Sequence, residues 1–173
     1  PLPKSLDGAS IAFDIGVGTG VLSIILAMRD VQKIIATDQE DRALICAKEN
    51  IALLGLGSQI DIVKANLFPA GKASLIICNP PWVPARPSSL LEHAVYDPES
   101  QMLKGFLAGL KEHLLPQGEG WLILSDLAEH LELRSRQELL SWIEDAGLVV
   151  LERIDTKPKH PKAFDDSDSL HFA

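Results

Sequence analysis

The chain has 173 residues, 46% of them hydrophobic and 23% charged, with a formal net charge of −8. That length suits one domain with a single core, and that composition excludes disorder as the default state. No apolar run reaches the roughly 18 residues of a membrane span, Pro1-Leu2-Pro3-Lys4 does not open a signal peptide, and the acidic balance weighs against a large nucleic-acid footprint without excluding a local basic patch.

Residues 1–8 form a polar, turn-rich lead. A short apolar run from Ile11 to Phe13 ends in Asp14, and glycines follow at 16, 18 and 20 before an apolar helical pattern starts at Val21. This reads as strand, tight turn and helix. The glycines permit positive φ and close approach of a ligand to the main chain, while the free N–H groups of the helix start face that ligand. Residues 21–28 are apolar nearly all round, as in a helix packed on a sheet.

Residues 33–37 make a second strand that ends at Asp38. Leu44, Ala47, Ile51 and Leu54 then repeat at helical spacing until Gly55 or Gly57 stops the helix. Residues 60–65 alternate as a third strand and end at Asn66-Leu67-Phe68-Pro69. The run 74–78 is continuously apolar, typical of a strand covered on both faces. The prolines of Asn79-Pro80-Pro81-Trp82 must end it, because they cannot join a central ladder.

Residues 83–98 carry Pro84, Pro87 and Pro98 without a clear period and read as a functional loop. A helix over 99–115 places Leu103, Phe106, Leu107, Leu110 and Leu114 on one face. A turn over 116–120 leads into a fifth strand at 121–124. A helix over 133–146 turns Leu139, Leu140, Ile143 and Ala146 inward, and a sixth strand follows at 148–154. Residues 156–168 are polar, and 170–173 start a last strand cut off by the chain end. Strand and helix alternate throughout, which predicts a doubly wound, mostly parallel α/β sheet in a single domain over 1–173.

Cys46 and Cys78 fall in a helical pattern and a buried-strand pattern, as small core residues of a protein kept in a reducing compartment. No Cys/His set has metal-ligand spacing, so no metal is expected.

In such a sheet the ligand lies beyond the carboxyl ends of the strands. The residues to weigh are therefore Asp14 with its glycines, Asp38, Asn66-Leu67 and Asn79-Pro80-Pro81-Trp82. Asp38 stands at about the offset, roughly 20 residues, at which an acid binds ribose hydroxyls; a helix N-cap is the competing reading. Asn66 and the Leu67 N–H sit where an adenine edge is read, with a plain turn asparagine as the alternative. A dinucleotide fingerprint G-x-G-x-x-G would need glycine at position 21, where Val21 stands.

The pattern D-x-G-x-G-x-G from Asp14 to Gly20 resembles motif I of the class I S-adenosylmethionine (SAM) methyltransferases. Asn79-Pro80-Pro81-Trp82 resembles motif IV, N-P-P-[YFW], of the members that methylate planar nitrogens. These are the HemK-like protein glutamine methyltransferases and the "small domain" enzymes that modify base amines. An amide or exocyclic amine has its lone pair tied into a π system. If the Asn79 side-chain oxygen and the Pro80 carbonyl accept its two protons, that lone pair turns toward the methyl. Prolines fix φ and hold the carbonyl still, and Trp82 offers a stacking face.

The resemblance implies a Rossmann-like fold of seven strands, the last antiparallel. It places Asp14, Gly16, Gly18 and Gly20 around the methionine part of SAM, Asp38 on the ribose, Asn66 and Leu67 at the adenine, and Asn79 to Trp82 at the target, with Asn79 also lining the cofactor site. S-adenosylhomocysteine is the implied product. The implied partner is a macromolecule in the cytoplasm, a protein glutamine or a nucleic-acid base, and the acidic balance tilts toward protein. Asn66 stands where many members have Asp, and Trp82 replaces the commoner Tyr. The lead before the first strand is too short for the helices that cover SAM in this class, so a fragment is expected, or a domain completed by an N-terminal segment or a partner chain. The competing functions are a non-catalytic SAM-binding scaffold and a nicotinamide oxidoreductase.

Overall fold

The computed structural model describes residues 11–84 and 96–156. Within them the chain runs β1 (Ile11–Ile15), α1 (Val21–Ala27), β2 (Lys33–Asp38), α2 (Asp41–Leu53), β3 (Ile60–Lys64), β4 (Ala73–Cys78), α3 (Gln101–His113), β5 (Leu114–Leu122), α4 (Leu127–His130) and α5 (Arg136–Asp145). A 3-10 turn, Pro98–Ser100, leads into α3. The strands form one five-stranded sheet in the order β3-β2-β1-β4-β5, and every pairing is parallel.

Alternation along the central strands sends side chains to two cores, one on each face. Ala12 of β1 and Leu75 and Ile77 of β4 meet Leu26 of α1 and Leu44 and Ala47 of α2. Phe13 and Ile15 of β1 and Ile76 and Cys78 of β4 meet Leu103, Phe106, Leu107 and Leu110 of α3. Four of the five residues expected on the inner face of α3 are thus observed there; the helix runs from Gln101 to His113 and not over 99–115, so Leu114, the fifth, opens β5 instead. Cys78 is buried at the end of β4 and neither cysteine is bridged.

The seven-stranded expectation is corrected to five parallel strands among the described residues. Among the described residues, 148–154 pair with no strand, and Val149 and Leu151 are 79% and 74% exposed. An apolar run makes a stable strand only when it has a ladder partner and a face to bury; no described strand lies beside this one, and of its residues only Leu148 packs against the core. The expected last strand at 170–173, together with the lead 1–8, most of the loop 83–98 and nearly all of the polar stretch 156–168, lies outside the described residues.

Other boundaries moved for local reasons. The turn expected at 116–120 is absorbed into β5 as an irregularity, since the register jumps from Ala73↔Leu114 to Leu75↔Glu119. Pro116 sits inside that bulge, where no ladder donor is required. The helix expected from residue 133 starts at Arg136, because Ser135 caps it: its hydroxyl accepts the Glu138 N–H, and the Glu138 carboxylate accepts the Ser135 N–H in return. Leu140, expected inward, is exposed, and Trp142 takes a place beside Leu139 and Ile143 instead. In α1, Ser23, Leu26 and Ala27 are buried while Val21 and Met28 face outward, so its apolar surface is not wholly consumed by the sheet.

Phe106 is fully buried and stacks on Phe68 at 5.9 Å. Phe106→Ala should lower unfolding free energy by roughly 3–5 kcal/mol, read as a leftward shift of the urea midpoint at unchanged slope.

Candidate functional site

Because every strand pair is parallel, the carboxyl ends share one edge. Ile15 lies opposite Thr37 of β2 and Cys78 of β4, so Gly16, Asp38 and Asn79 are the next residues outward on neighbouring strands. From β1 the chain steps outward to β2 and β3, then returns to the other side of β1 with β4. The carboxyl ends of β1 and β4 therefore flank the switch in strand order, where open α/β sheets form their crevice.

The glycine turn is held from three directions. The Thr37 carbonyl accepts the N–H groups of Gly16 and Val17 at 2.9 and 2.8 Å. The Asp38 carboxylate accepts the Gly18 N–H at 3.1 Å and the Glu40 N–H at 3.0 Å. Asp14, fully buried, accepts both the N–H and the hydroxyl of Ser23 in the first turn of α1, at 3.0 and 2.6 Å.

The glycines at 16, 18 and 20 have φ of 76°, 52° and 86°, a region that penalises any Cβ. Their surroundings differ. A Cβ at Gly16 would meet the Met102 side chain, and one at Gly20 would touch Ala47, whereas nothing lies within 4 Å at Gly18. Gly18 is also exposed. The turn thus presents open main chain at Gly18, directly beside a carboxylate, a fitting cradle for a nucleoside-bearing cofactor.

Asn66 is exposed, and Leu67 follows in a left-handed conformation with φ 67°. The Thr37 hydroxyl donates to the Leu67 carbonyl and pins that strained residue to the end of β2. Strain of this kind in a non-glycine residue persists only where its surroundings enforce it. Beyond β4, Asn79 is exposed, Pro80 is buried, and Trp82 is half-buried with its indole N–H donating to the Asn79 side-chain oxygen at 3.0 Å. All the residues singled out in the sequence therefore gather along one edge. Asp14 is the exception in kind, since its side chain lies beneath the turn rather than at its surface.

Asp97 was not foreseen. It is buried; its N–H donates to the Val83 carbonyl, and its two carboxylate oxygens accept the N–H groups of Met102 and Leu103. It ties the exit of the Asn79–Trp82 run to the first turn of α3. Asp followed by Pro98 was the available signal, an acceptor before a helix-starting proline. Among the described residues no cluster of His, Cys, Asp or Glu is arranged to hold a metal ion.

A family model described as methyltransferase small domain matches residues 2–140. Among curated proteins, the chain is 29% identical over 160 residues to a tRNA1(Val) (adenine(37)-N6)-methyltransferase of Shewanella sp. (strain W3-18-1), covering 85% of this chain and 66% of that protein. It is 36% identical over 110 residues to a release factor glutamine methyltransferase of Cereibacter sphaeroides, covering 62% of this chain and 36% of that one. The chain thus spans less than two thirds of either relative's length. Among solved structures, a ribosomal protein L11 methylase from Lactobacillus delbrueckii subsp. bulgaricus superposes with a TM-score of 0.59 at 23% identity, over 82% of this chain and 60% of that one, a likeness of fold.

Burial pushes the Asp14 carboxyl from 3.8 up to about 6, against the bonds from Ser23 that pull it down. Between those values the folded chain holds a proton that the unfolded chain has released, so stability falls as pH rises and levels off above about 6. At about 1.36 kcal/mol per unit, the shift amounts to roughly 3 kcal/mol. Asp14→Asn abolishes this linkage. Urea titrations from about pH 4 to about pH 7 should show the wild type losing roughly 2–2.5 kcal/mol more than the variant, the rest of the shift falling below pH 4; parallel pH profiles would reject the buried carboxyl.

Proposed function

The chain belongs to the methyltransferase small domain family, and from that premise we propose that it transfers a methyl group from SAM to a planar, sp²-hybridised nitrogen of a macromolecule. The observation that carries this reading is the position of Asn79-Pro80-Pro81-Trp82, directly on the end of β4 and across the switch point from the glycine turn. Relatives named for a tRNA adenine amine and for a release factor glutamine amide support the same acceptor chemistry. The tRNA relative aligns over the larger share of the chain, which makes the base amine the first acceptor to test despite the acidic balance.

Gly16, Gly18 and Gly20 hold the methionine part of SAM. Asp14 serves that end by clasping Ser23, which fixes the turn, and not by touching the ligand. Asp38, beside the open main chain of Gly18, accepts the ribose hydroxyl protons. Asn66 and the strained Leu67 main chain read the adenine. Bound there, SAM would supply a methyl group carried on a sulfonium, with S-adenosylhomocysteine as the product.

The chain's own part is positioning. The Asn79 side-chain oxygen and the Pro80 carbonyl accept the two N–H protons of the target, which turns its lone pair toward the methyl. The proton lost from the methylated nitrogen passes to solvent at this exposed edge. A near-attack geometry is in general worth roughly 7–11 kcal/mol, and no separate base is required.

Asp38→Ala should weaken SAM binding by roughly 1.5–3 kcal/mol in calorimetry; unchanged affinity would remove Asp38 from the ribose. Asn79→Ala should bind SAM nearly normally yet lose roughly 10²–10³ in transfer, assayed with tritiated SAM on total tRNA and total protein of an extract. Near wild-type transfer by that variant would sink the acceptor assignment.

A further inference from the structure

The bond from the Trp82 indole to Asn79 has a consequence for the reaction just proposed, on which it rests. A carboxamide side chain has two faces that differ only in chemistry, an oxygen that accepts and an NH₂ that donates. Only the oxygen can receive a target N–H. Asn79 is exposed, so nothing in a packed core selects which of the two faces points where. The indole N–H is a donor and nothing else. At 3.0 Å from the Asn79 oxygen, it fixes the flip, because the reversed amide would set two donors against each other.

We propose that Trp82 is a positioning residue whose indole N–H holds the Asn79 side chain with its oxygen as the acceptor, leaving that oxygen's second lone pair for the target amine. The connection between the two is short and stiff. Pro80 and Pro81 each have φ fixed by their rings, and Pro80 is buried. Trp82 is half-buried, and the next residue, Val83, is anchored by its carbonyl to the Asp97 N–H at 2.8 Å. The indole is therefore held from the main chain on both sides and can orient a neighbour that is itself loose. The bond also acts on the ring, since it sets the plane of the indole against which a flat target stacks. A phenylalanine or tyrosine at this position supplies the face but no ring N–H beside the amide.

This separates two contributions of one side chain. Trp82→Phe keeps an aromatic face and deletes the N–H, so it should lower kcat about five- to tenfold, the size of one neutral hydrogen bond, at an unchanged KM for the target. Trp82→Ala deletes the face as well and should raise KM. Because the N–H acts through Asn79, Trp82→Phe should cost nothing further when added to Asn79→Ala, the signature of a coupled pair in a double-mutant cycle. The assay is transfer of tritiated methyl from SAM to total tRNA and to total protein. A second readout needs no activity: of the three tryptophan indole N–H signals in a ¹H–¹⁵N spectrum, the one lost in Trp82→Phe should move upfield in Asn79→Ala.

An indole signal indifferent to Asn79→Ala, or a Trp82→Phe loss of equal size in both backgrounds, would overturn the proposal. If Asn79→Ala loses transfer while Trp82→Phe turns over at the wild-type rate, the positioning role fails and the acceptor reading stands. If Asn79→Ala transfers normally, the acceptor reading itself fails, whatever the indole shows, and this proposal fails with it.

Discussion

The carboxylate of Asp14 receives the backbone N–H and the hydroxyl of Ser23 beneath the glycine turn, and the carboxyl edge of the sheet is arranged around that clasp. A charge at the end of a central strand is expensive to bury, and burial pushes the carboxyl's pKa up despite the bonds from Ser23. What the clasp secures is the angle at which α1 leaves β1. With that angle fixed, the turn can be built from glycines alone, and its main chain faces outward at Gly18 while Gly16 and Gly20 pack against Met102 and Ala47. A neutral, apolar residue at position 14 would suit the core better and leave the start of α1 without its acceptor.

The second constraint is parallelism. Five parallel strands put every carboxyl end on one edge, so residues far apart in sequence become neighbours without any loop having to reach. Thr37 links two of them at once: its carbonyl holds the glycine turn and its hydroxyl holds Leu67. Asp97 does the equivalent on the other side, joining Val83 to the start of α3. The site is thus braced by buried polar groups whose bonds run between elements, and the residues proposed to meet SAM and the target sit on the outer ends of those braces.

The glycine spacing, Asp38, Asn66 and the N-P-P-W run were all legible in the sequence because strand ends are marked by abrupt changes of chemistry, apolar run to acid or to proline. The two-faced burial of β4 was legible for the same reason, as an unbroken apolar run. Residues 148–154 misled because hydrophobicity records what a segment is able to bury and not whether a partner strand is beside it. The turn at Pro116 was a real break in the ladder that a continuing strand absorbed. Ser23 and Thr37 carry no pattern of their own, since a buried polar residue becomes recognisable only when its partners are in place; Asp97 had only the proline after it as a mark. The Trp82–Asn79 bond is of that kind too: a stacking face can be read from a tryptophan in a motif, but the direction of its N–H cannot.

The central claim is that a planar nitrogen receives the methyl group. The most direct measurement is to incubate the protein with methyl-labelled SAM and total tRNA or total protein, digest the acceptor completely, and identify the labelled product by mass spectrometry. Label is expected on an exocyclic amine of a nucleoside or on a glutamine side-chain nitrogen. Label recovered on a ring carbon, on an oxygen or on sulfur would contradict it.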